Sequence, residues 1–196
     1  GALSLEGVNG NIHYNDSKGF SSEQLTGTMW GKSLIAELKQ LDKVLVDKGL
    51  GSEEQVWASP IEVQVQSNLA MADIRSWLNL EQLAFAEGES AVDLSINITP
   101  GQPPVLQLES NLRETSLDLP SPWGKHVGQA RDFSVRVPLG AEAINLDLEL
   151  EPGLRMSLEV AENTFVAGAI GFARAPAPLQ AGVLRITGHA PVVDEA

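Results

Sequence analysis

Apolar and polar residues alternate with a period of two along most of this chain, and no other feature restricts its fold as strongly. From Ile61, the positions Ile61, Val63, Val65, Ser67 and Leu69 alternate with Glu62, Gln64, Gln66 and Asn68. Val92, Leu94, Ile96 and Ile98 alternate with Asp93, Ser95 and Asn97, and Leu106 and Leu108 with Gln107 and Glu109. Phe133, Val135, Val137 and Leu139 enclose Ser134 and Arg136. Ile144, Leu146, Leu148 and Leu150 alternate with Asn145, Asp147 and Glu149, and Leu154, Met156, Leu158 and Val160 with Arg155, Ser157 and Glu159. Successive side chains of a strand point to opposite faces, so each run has one apolar and one wet face. Parallel strands covered on both sides would instead read as continuous apolar runs. The expectation is a mostly β protein built from antiparallel strands.

Turn chemistry separates the runs. Gly7-Val8-Asn9-Gly10, Asp16-Ser17-Lys18-Gly19, Pro100-Gly101-Gln102-Pro103-Pro104, Leu139-Gly140-Ala141 and Glu151-Pro152-Gly153 supply the positive or fixed φ that tight connections need. One stretch breaks the period: Ala70, Met71, Ile74, Trp77 and Leu78 have helical spacing. This predicts a short helix over 70–79, with Asn68 as N-cap and Asp73 in the first turn, capping or covering the sheet. Residues 39–57 suit either a helix through Leu41, Val44, Leu45 and Lys48, or a strand at Val44-Leu45-Val46 ending at Gly49. Gly171–Gln180, with Ala175-Pro176-Ala177-Pro178, reads as an extended loop before a last strand at 182–187. No compositional break divides residues 1–196, which read as one unit.

Composition narrows the chemistry. With 13 Lys and Arg against 26 Asp and Glu, the net charge of −13 opposes any partner recognised through its phosphates, so no nucleic-acid role is expected. The absence of cysteine excludes disulfides, thiol nucleophiles and zinc–thiolate sites. No apolar run reaches the ~18 residues of a membrane span. With no initiator Met and no signal-peptide pattern, the chain is expected to be a segment of a longer polypeptide.

Gly31-Lys32-Ser33 lacks the glycine a phosphate loop needs five residues upstream, where Thr26 stands, and the residues after it look like a strand. An ordinary turn explains it. His13, His126 and His189 are isolated in sequence, and no Gly-x-Ser-x-Gly elbow occurs. Asp147, Glu149 and Glu151 are expected on a solvated strand face, with a weak Ca²⁺ site as the alternative. Asn15-Asp16-Ser17 and Asn97-Ile98-Thr99 match the short glycosylation acceptor pattern. Leu117-Asp118-Leu119-Pro120-Ser121-Pro122-Trp123-Gly124-Lys125 reads as a strand leaving the sheet at an edge. Trp30, Trp57, Trp77 and Trp123 are expected in the core. No catalytic residue, metal or cofactor is expected.

The order of several motifs resembles the YhdP branch of the AsmA-like proteins, relatives of TamB. They are Gly7-Val8-Asn9-Gly10, Gly19-Phe20-Ser21, Met29-Trp30-Gly31-Lys32, and Ala70 to Leu78 after a strand. The most specific is Leu108-Glu109-Ser110-Asn111-Leu112 followed by Leu117 to Lys125, which is similar to the family's DLPxPxxK signature. Gly182 to His189 resembles the closing strand of the same region. Arg113-Glu114-Thr115 stands where the family often has a glycine, a departure that bears on whether a tight bend follows Leu112. The N-terminal membrane helix and most of the long body of such proteins have no counterpart here.

The resemblance implies a periplasmic segment of an inner-membrane-anchored protein: an elongated, twisted, mainly antiparallel sheet curled into a U-shaped groove, with one or two short helices. It further implies phospholipid as cargo and neighbouring segments of the same polypeptide as partners. Membrane contact would come only through parts outside this chain. The lining would then be Ile61, Val63, Val65, Val92, Leu94, Ile96, Leu106, Leu108, Phe133, Val135, Val137, Ile144, Leu146, Leu148, Leu154, Met156 and Leu158. Ten strands at ~4.8 Å would span about 45 Å, only part of a bridge. The same alternation also allows a closed, dry structural or partner-binding scaffold. An enzyme, perhaps a hydrolase, would require a histidine to meet a carboxylate and a hydroxyl in one cleft.

Overall fold

The structure, a computed structural model, describes residues 5–47, 55–78, 84–140, 143–161 and 164–189. The predicted positions Gly49, Asn79, Ala141 and Pro191 to Asp194 lie outside them. The elements are β1 (Leu5–Asn9), β2 (His13–Asn15), β3 (Gly19–Met29), β4 (Lys32–Gln40), β5 (Val44–Asp47), β6 (Gln55–Ala58), β7 (Ile61–Ala70) and α1 (Met71–Leu78). There follow β8 (Ala86–Ile98), β9 (Val105–Ser110), β10 (Thr115–Leu117), β11 (Phe133–Pro138), β12 (Ala143–Leu150), β13 (Leu154–Ala161), β14 (Thr164–Phe172) and β15 (Leu184–Gly188). Among the described residues thirteen strands form one sheet in the order β1-β3-β4-β7-β8-β9-β11-β12-β13-β14-β15, with β2 on β3 and β10 on β8. The sheet is curved and mainly antiparallel, and it does not close into a barrel. The β5–β6 hairpin stands apart as a two-stranded sheet.

Local chemistry explains the hairpins. Trp30 and Gly31 join β3 to β4 with φ of 50° and 74°, the two-residue, doubly positive turn that matches strand twist. Lys32 and Ser33 open β4, so the Gly-Lys-Ser segment is a hairpin turn. Residues 44–46 belong to β5, which settles the helix-or-strand choice there in favour of the strand.

Four expectations are corrected. Gly7 to Asn9 lie inside β1 as an irregularity in its pairing with β3, because Gly7 takes a φ of 61° within the strand and not in a hairpin. Asn68 is no N-cap: it pairs with Ala91 in the β7–β8 ladder, and α1 begins directly after Ala70. The Leu117–Pro122 segment leaves no outer edge. β10 instead resumes the line of β9 along β8, pairing with Ala86 to Gly88 on the overhang beyond the β7 and β9 ladders. The break before it is a tight bend without glycine, for Leu112 itself takes a φ of 48° and accepts a hydrogen bond from Thr115 N at 3.1 Å. Trp57 is not core. It is 70% exposed opposite Leu45 on the β5–β6 hairpin, whose other face buries Val46 and Ala58.

The last strand departs from the antiparallel rule: β15 runs parallel to β14. A parallel return needs a crossover, and the segment after Phe172 supplies it as a strap over the polar side of β14. That side carries only small residues, Ala167 and Ala169, both fully buried, and Gly171. A Cβ at Gly171 would run into the Arg174 carbonyl and the Pro176 nitrogen, so the strap fits only over glycine.

The ladders place one apolar residue per strand in a continuous row. Leu25, Ala36, Val65, Leu94, Leu108, Val135, Leu148, Met156, Ile170 and Ile186 are successive cross-strand partners from β3 to β15. A neighbouring row holds Leu38, Val63, Ile96, Leu106 and Val137, with Leu146 and Leu158 beyond. The opposite face is polar: Gln66, Asp93, Glu109, Ser134, Glu149 and Arg155 follow one another in the same way.

Candidate functional site: the apolar trough

The inner face of the curved sheet forms a trough whose floor is the aliphatic rows. Two clusters of buried residues lie along it. The first gathers Met29, Leu34, Ala36, Val65, Leu69, Val92, Leu94, Leu106, Val137 and Leu146, with Ile74 and Trp77 of α1 packed on it. The second gathers Ala86, Leu112, Leu117, Trp123, Leu150 and Leu154, with Met71, Phe85, Leu119, Phe133 and Phe172 against it. Between them remains an apolar cavity of about 130 Å³.

Leu106, Leu108, Phe133, Val135, Val137, Leu146, Leu148, Leu154, Met156 and Leu158, all named from the sequence, border that cavity. The other predicted positions share the face but not the cavity. Val65, Val92 and Leu94 are buried in the first cluster, and Val63 and Ile96 pack against it. Ile61 is half-buried, and Ile144 is 40% exposed at the start of β12. The sequence reading missed Met71, Ile74 and Trp77 of α1, Phe85, Leu112 and Leu119 outside the strands, and Ala86, Leu117 and Leu150 of β8, β10 and β12. The helical spacing of the first three was a usable signal, since the stripe must face the sheet. Leu112 to Leu119 carry no such period.

Two different structures cover the trough. Over the first cluster lies α1, with the Trp77 ring 5.8 Å from that of Trp30. Over the second lies the loop from Leu112 to Lys125. Leu117 N–H donates to Lys125 O at 2.9 Å, Lys125 N–H returns a bond to Leu117 O at 3.0 Å, and Asp118 N–H donates to Phe85 O at 2.7 Å. Trp123 is its anchor: its ring stacks 4.5 Å from Phe172 and its Nε1–H donates to Pro152 O at 3.1 Å. Lys125 is 5% exposed, and its Nζ donates to the carbonyl of Thr115, whose buried hydroxyl has no partner among the described residues. Burial pushes the Lys125 ammonium below the usual lysine range, helped by the nearby Arg131 charge and opposed by Glu114.

The polar face manages its own charge. Asp93 and Glu109 stand directly opposite each other on β8 and β9. Gln66 Nε2 donates to Asp93 at 3.0 Å and Gln107 Nε2 to Glu109 at 2.7 Å, which spreads the like charge over amide donors. Lys39 pairs with the half-buried Glu62 at 2.8 Å, and Arg155 with Glu149 at 3.1 Å on exposed surface. The hydrogen bond and the charge of Glu62 raise the Lys39 ammonium above its ordinary value. Asp147, Glu149 and Glu151 are all exposed, and no cluster of three or more potential metal ligands occurs among the described residues.

The histidines stay apart. His13 is on β2, His189 follows β15, and both are exposed. His126 borders a hollow shared with Ser116, Asp118 and Ser121, but among the described residues no hydrogen bond joins its imidazole to them. No described helix is long and apolar enough to cross a membrane.

No family model, curated protein or solved structure matches this chain.

Proposed function

We propose that the trough is a path for phospholipid acyl chains, one section of a longer conduit between membranes. The observation that carries this reading is the unbroken row from Leu25 to Ile186, which offers one apolar contact per strand across ten strands. A closed core needs apolar residues somewhere on each strand; a sliding chain needs them contiguous and in line. At ~4.8 Å per strand the row runs about 43 Å along the sheet. Shielding a lipid's ~30 methylenes from water saves on the order of 24 kcal/mol at ~0.8 kcal/mol each. Aliphatic walls provide that shielding without fixing one headgroup. The acidic outer face keeps so open a sheet soluble. The resemblance of its motifs to those of AsmA-like proteins favours the same reading, with the periplasm as compartment and an inner-membrane anchor elsewhere in the polypeptide.

A second reading, a structural or partner-binding scaffold, is favoured by the small free space of about 130 Å³. Photo-reactive residues at Val135 and Leu146, with Arg136 and Asp147 as outward controls, separate the two. Incubation with phospholipid vesicles is expected to label lipid at the inward pair only, and native mass spectrometry is expected to show bound lipid. Labelling confined to the outward pair, with no bound lipid, would leave the scaffold.

A further inference from the structure

We infer that acyl chains enter the trough from the side over one rim only, the lip that runs from Phe20 through Ile61, Ile98 and Ile144 to Phe165. The rim beneath the Leu112–Lys125 loop admits none. The inference rests on reading the trough as an acyl-chain path, and it says where that path is open.

The two rims are opposite ends of the same strands. β8 meets the loop at Ala86 to Gly88 and ends at the exposed Ile98. β12 carries Leu150 of the second cluster at one end and the exposed Ile144 near the other. β14 ends at Phe172 against Trp123 and has the exposed Phe165 near its start.

Register joins the lip into a row. Ile61 pairs with Gln40 on one side and Ile98 on the other. Ile144 pairs with Val160, and Val160 with Phe165. Between these pairs Leu139 packs on the first cluster and donates its N–H to Pro104 O at 2.7 Å. The far end is aromatic, with the exposed rings of Phe20 and Tyr14 5.0 Å apart. Phe165 leans over the floor, where a Cβ on Gly168 would stand 3.0 Å from its ring and as close to Leu158. From β3 to β14 the row crosses nine strands, about 38 Å at ~4.8 Å each. That exceeds the ~15 Å an acyl chain takes up in one leaflet of a ~30 Å bilayer core.

The chemistry of the lip selects hydrocarbon. Its one side-chain amide is Gln40, whose Oε1 already accepts from Phe20 N–H at 3.2 Å. A peptide laid along this row would have its amides covered without partners, a cost that an alkyl chain does not carry. A second copy would bring a charge of −13 against its own like. The covered centre offers no entry, because its cavity of about 130 Å³ is smaller than the ~150 Å³ that takes a single benzene. A chain therefore first meets the trough where its apolar side chains are open to water, along the lip.

The test compares loss of apolar surface on the two rims. The double variant I98S/I144S strips the lip, and V127S strips an exposed side chain just beyond Lys125, on the plugged side. Each is incubated with vesicles of phosphatidylethanolamine and phosphatidylglycerol, and bound lipid is read by native mass spectrometry. Bound lipid is expected to fall about tenfold in the double variant and to stay unchanged in V127S. Photo-reactive residues placed singly at Ile98 and Val127 give a second reading that decides even if the double variant fails to fold. Lipid is expected to be labelled from Ile98 and not from Val127. Equal loading of the two variants, or lipid labelled from Val127, overturns the lip and leaves the acyl-chain path standing. Protein–protein products from Ile98 in place of lipid make the lip an interface and also overturn the inference. An unmodified protein that never loads overturns both readings.

Discussion

The two buried clusters of the trough meet covers of different kinds. The loop over the second cluster is fixed by paired main-chain bonds between Leu117 and Lys125, by Asp118 to Phe85, and by the indole bond of Trp123 to Pro152. Trp123 is 6% exposed there. The helix over the first cluster contributes Ile74 and Trp77, both only half-buried. Hydrogen bonds are directional and leave orphaned groups when broken, whereas aliphatic contacts can be exchanged for other aliphatic contacts. The same sheet thus carries a plug laced by main-chain bonds, the Leu112–Lys125 loop, and a short helix laid on it by one apolar stripe.

The most direct way to break this comparison is to truncate the tryptophan on each side. Trp123→Ala removes a buried ring and leaves Pro152 O without its donor, and is expected to cost about 3–5 kcal/mol. Trp77→Ala removes a ring already half in solvent and is expected to cost roughly 1–2 kcal/mol, scaled down from the same series. Urea titration of both variants checks this. Equal losses would mean that α1 is as integral to the fold as the plug.

The contrast between floor and covers also marks how far the sequence could be read. The strands β7 to β9 and β11 to β13 were legible because a period of two assigns each side chain to a face, and the register then aligns Val65, Leu94, Leu108 and Val135 without further information. The covers were harder to read. Leu112 and Leu119 reach the trough from a bend and a bridged loop, where no period applies, and Leu117 from β10, whose 3 residues are too few to show one; Leu112 does so with a positive φ that its side chain does not advertise. Trp57 misled for a related reason: composition marks an indole as core, but its position on a hairpin outside the main sheet leaves it with only one packed side. The parallel pairing of β15 was written in Ala167, Ala169 and Gly171, small residues where the polar face of a strand should be, a signal that has meaning only once something is known to cross them.

Two glycines sharpen the comparison at an intermediate scale. Gly88 lies under the plug with a φ of 110°, and a Cβ there would sit 2.5 Å from the Glu114 carbonyl. Gly31, in the hairpin that carries Trp30, has a φ of 74° but nothing within 4 Å of the added atom. Gly88→Ala meets both backbone strain and an immovable carbonyl, and is expected to cost roughly 2–4 kcal/mol. Gly31→Ala meets only the strain of a positive φ, about 1 kcal/mol. Thermal unfolding of the pair reads the difference. A harmless Gly88→Ala would show that the β10 junction is softer than its hydrogen bonds indicate.

The smallest effect is a pH slope carried by Lys125. Its ammonium is buried beneath the plug with a main-chain carbonyl as acceptor, and its pKa in the folded state lies below the ordinary 10.5. Between that lowered value and 10.5 the unfolded chain binds more protons than the folded one, so stability rises with pH across this window. Below the window both states are charged and the folded state bears the whole cost of burial; above it both are neutral and that cost is gone. Lys39 has the opposite sign and a different window, since its raised value places the loss of its contribution above 10.5. Lys125→Met keeps the length of the side chain and deletes the charge. It is expected to remove the upward slope between neutral pH and the lysine range, leaving the response of the α1 side unchanged. Unfolding midpoints of the two proteins followed across that range measure the difference directly. A slope that survives in Lys125→Met would mean that the plug is held by packing and main-chain bonds alone, and that the buried ammonium adds nothing to the distinction between the two covers.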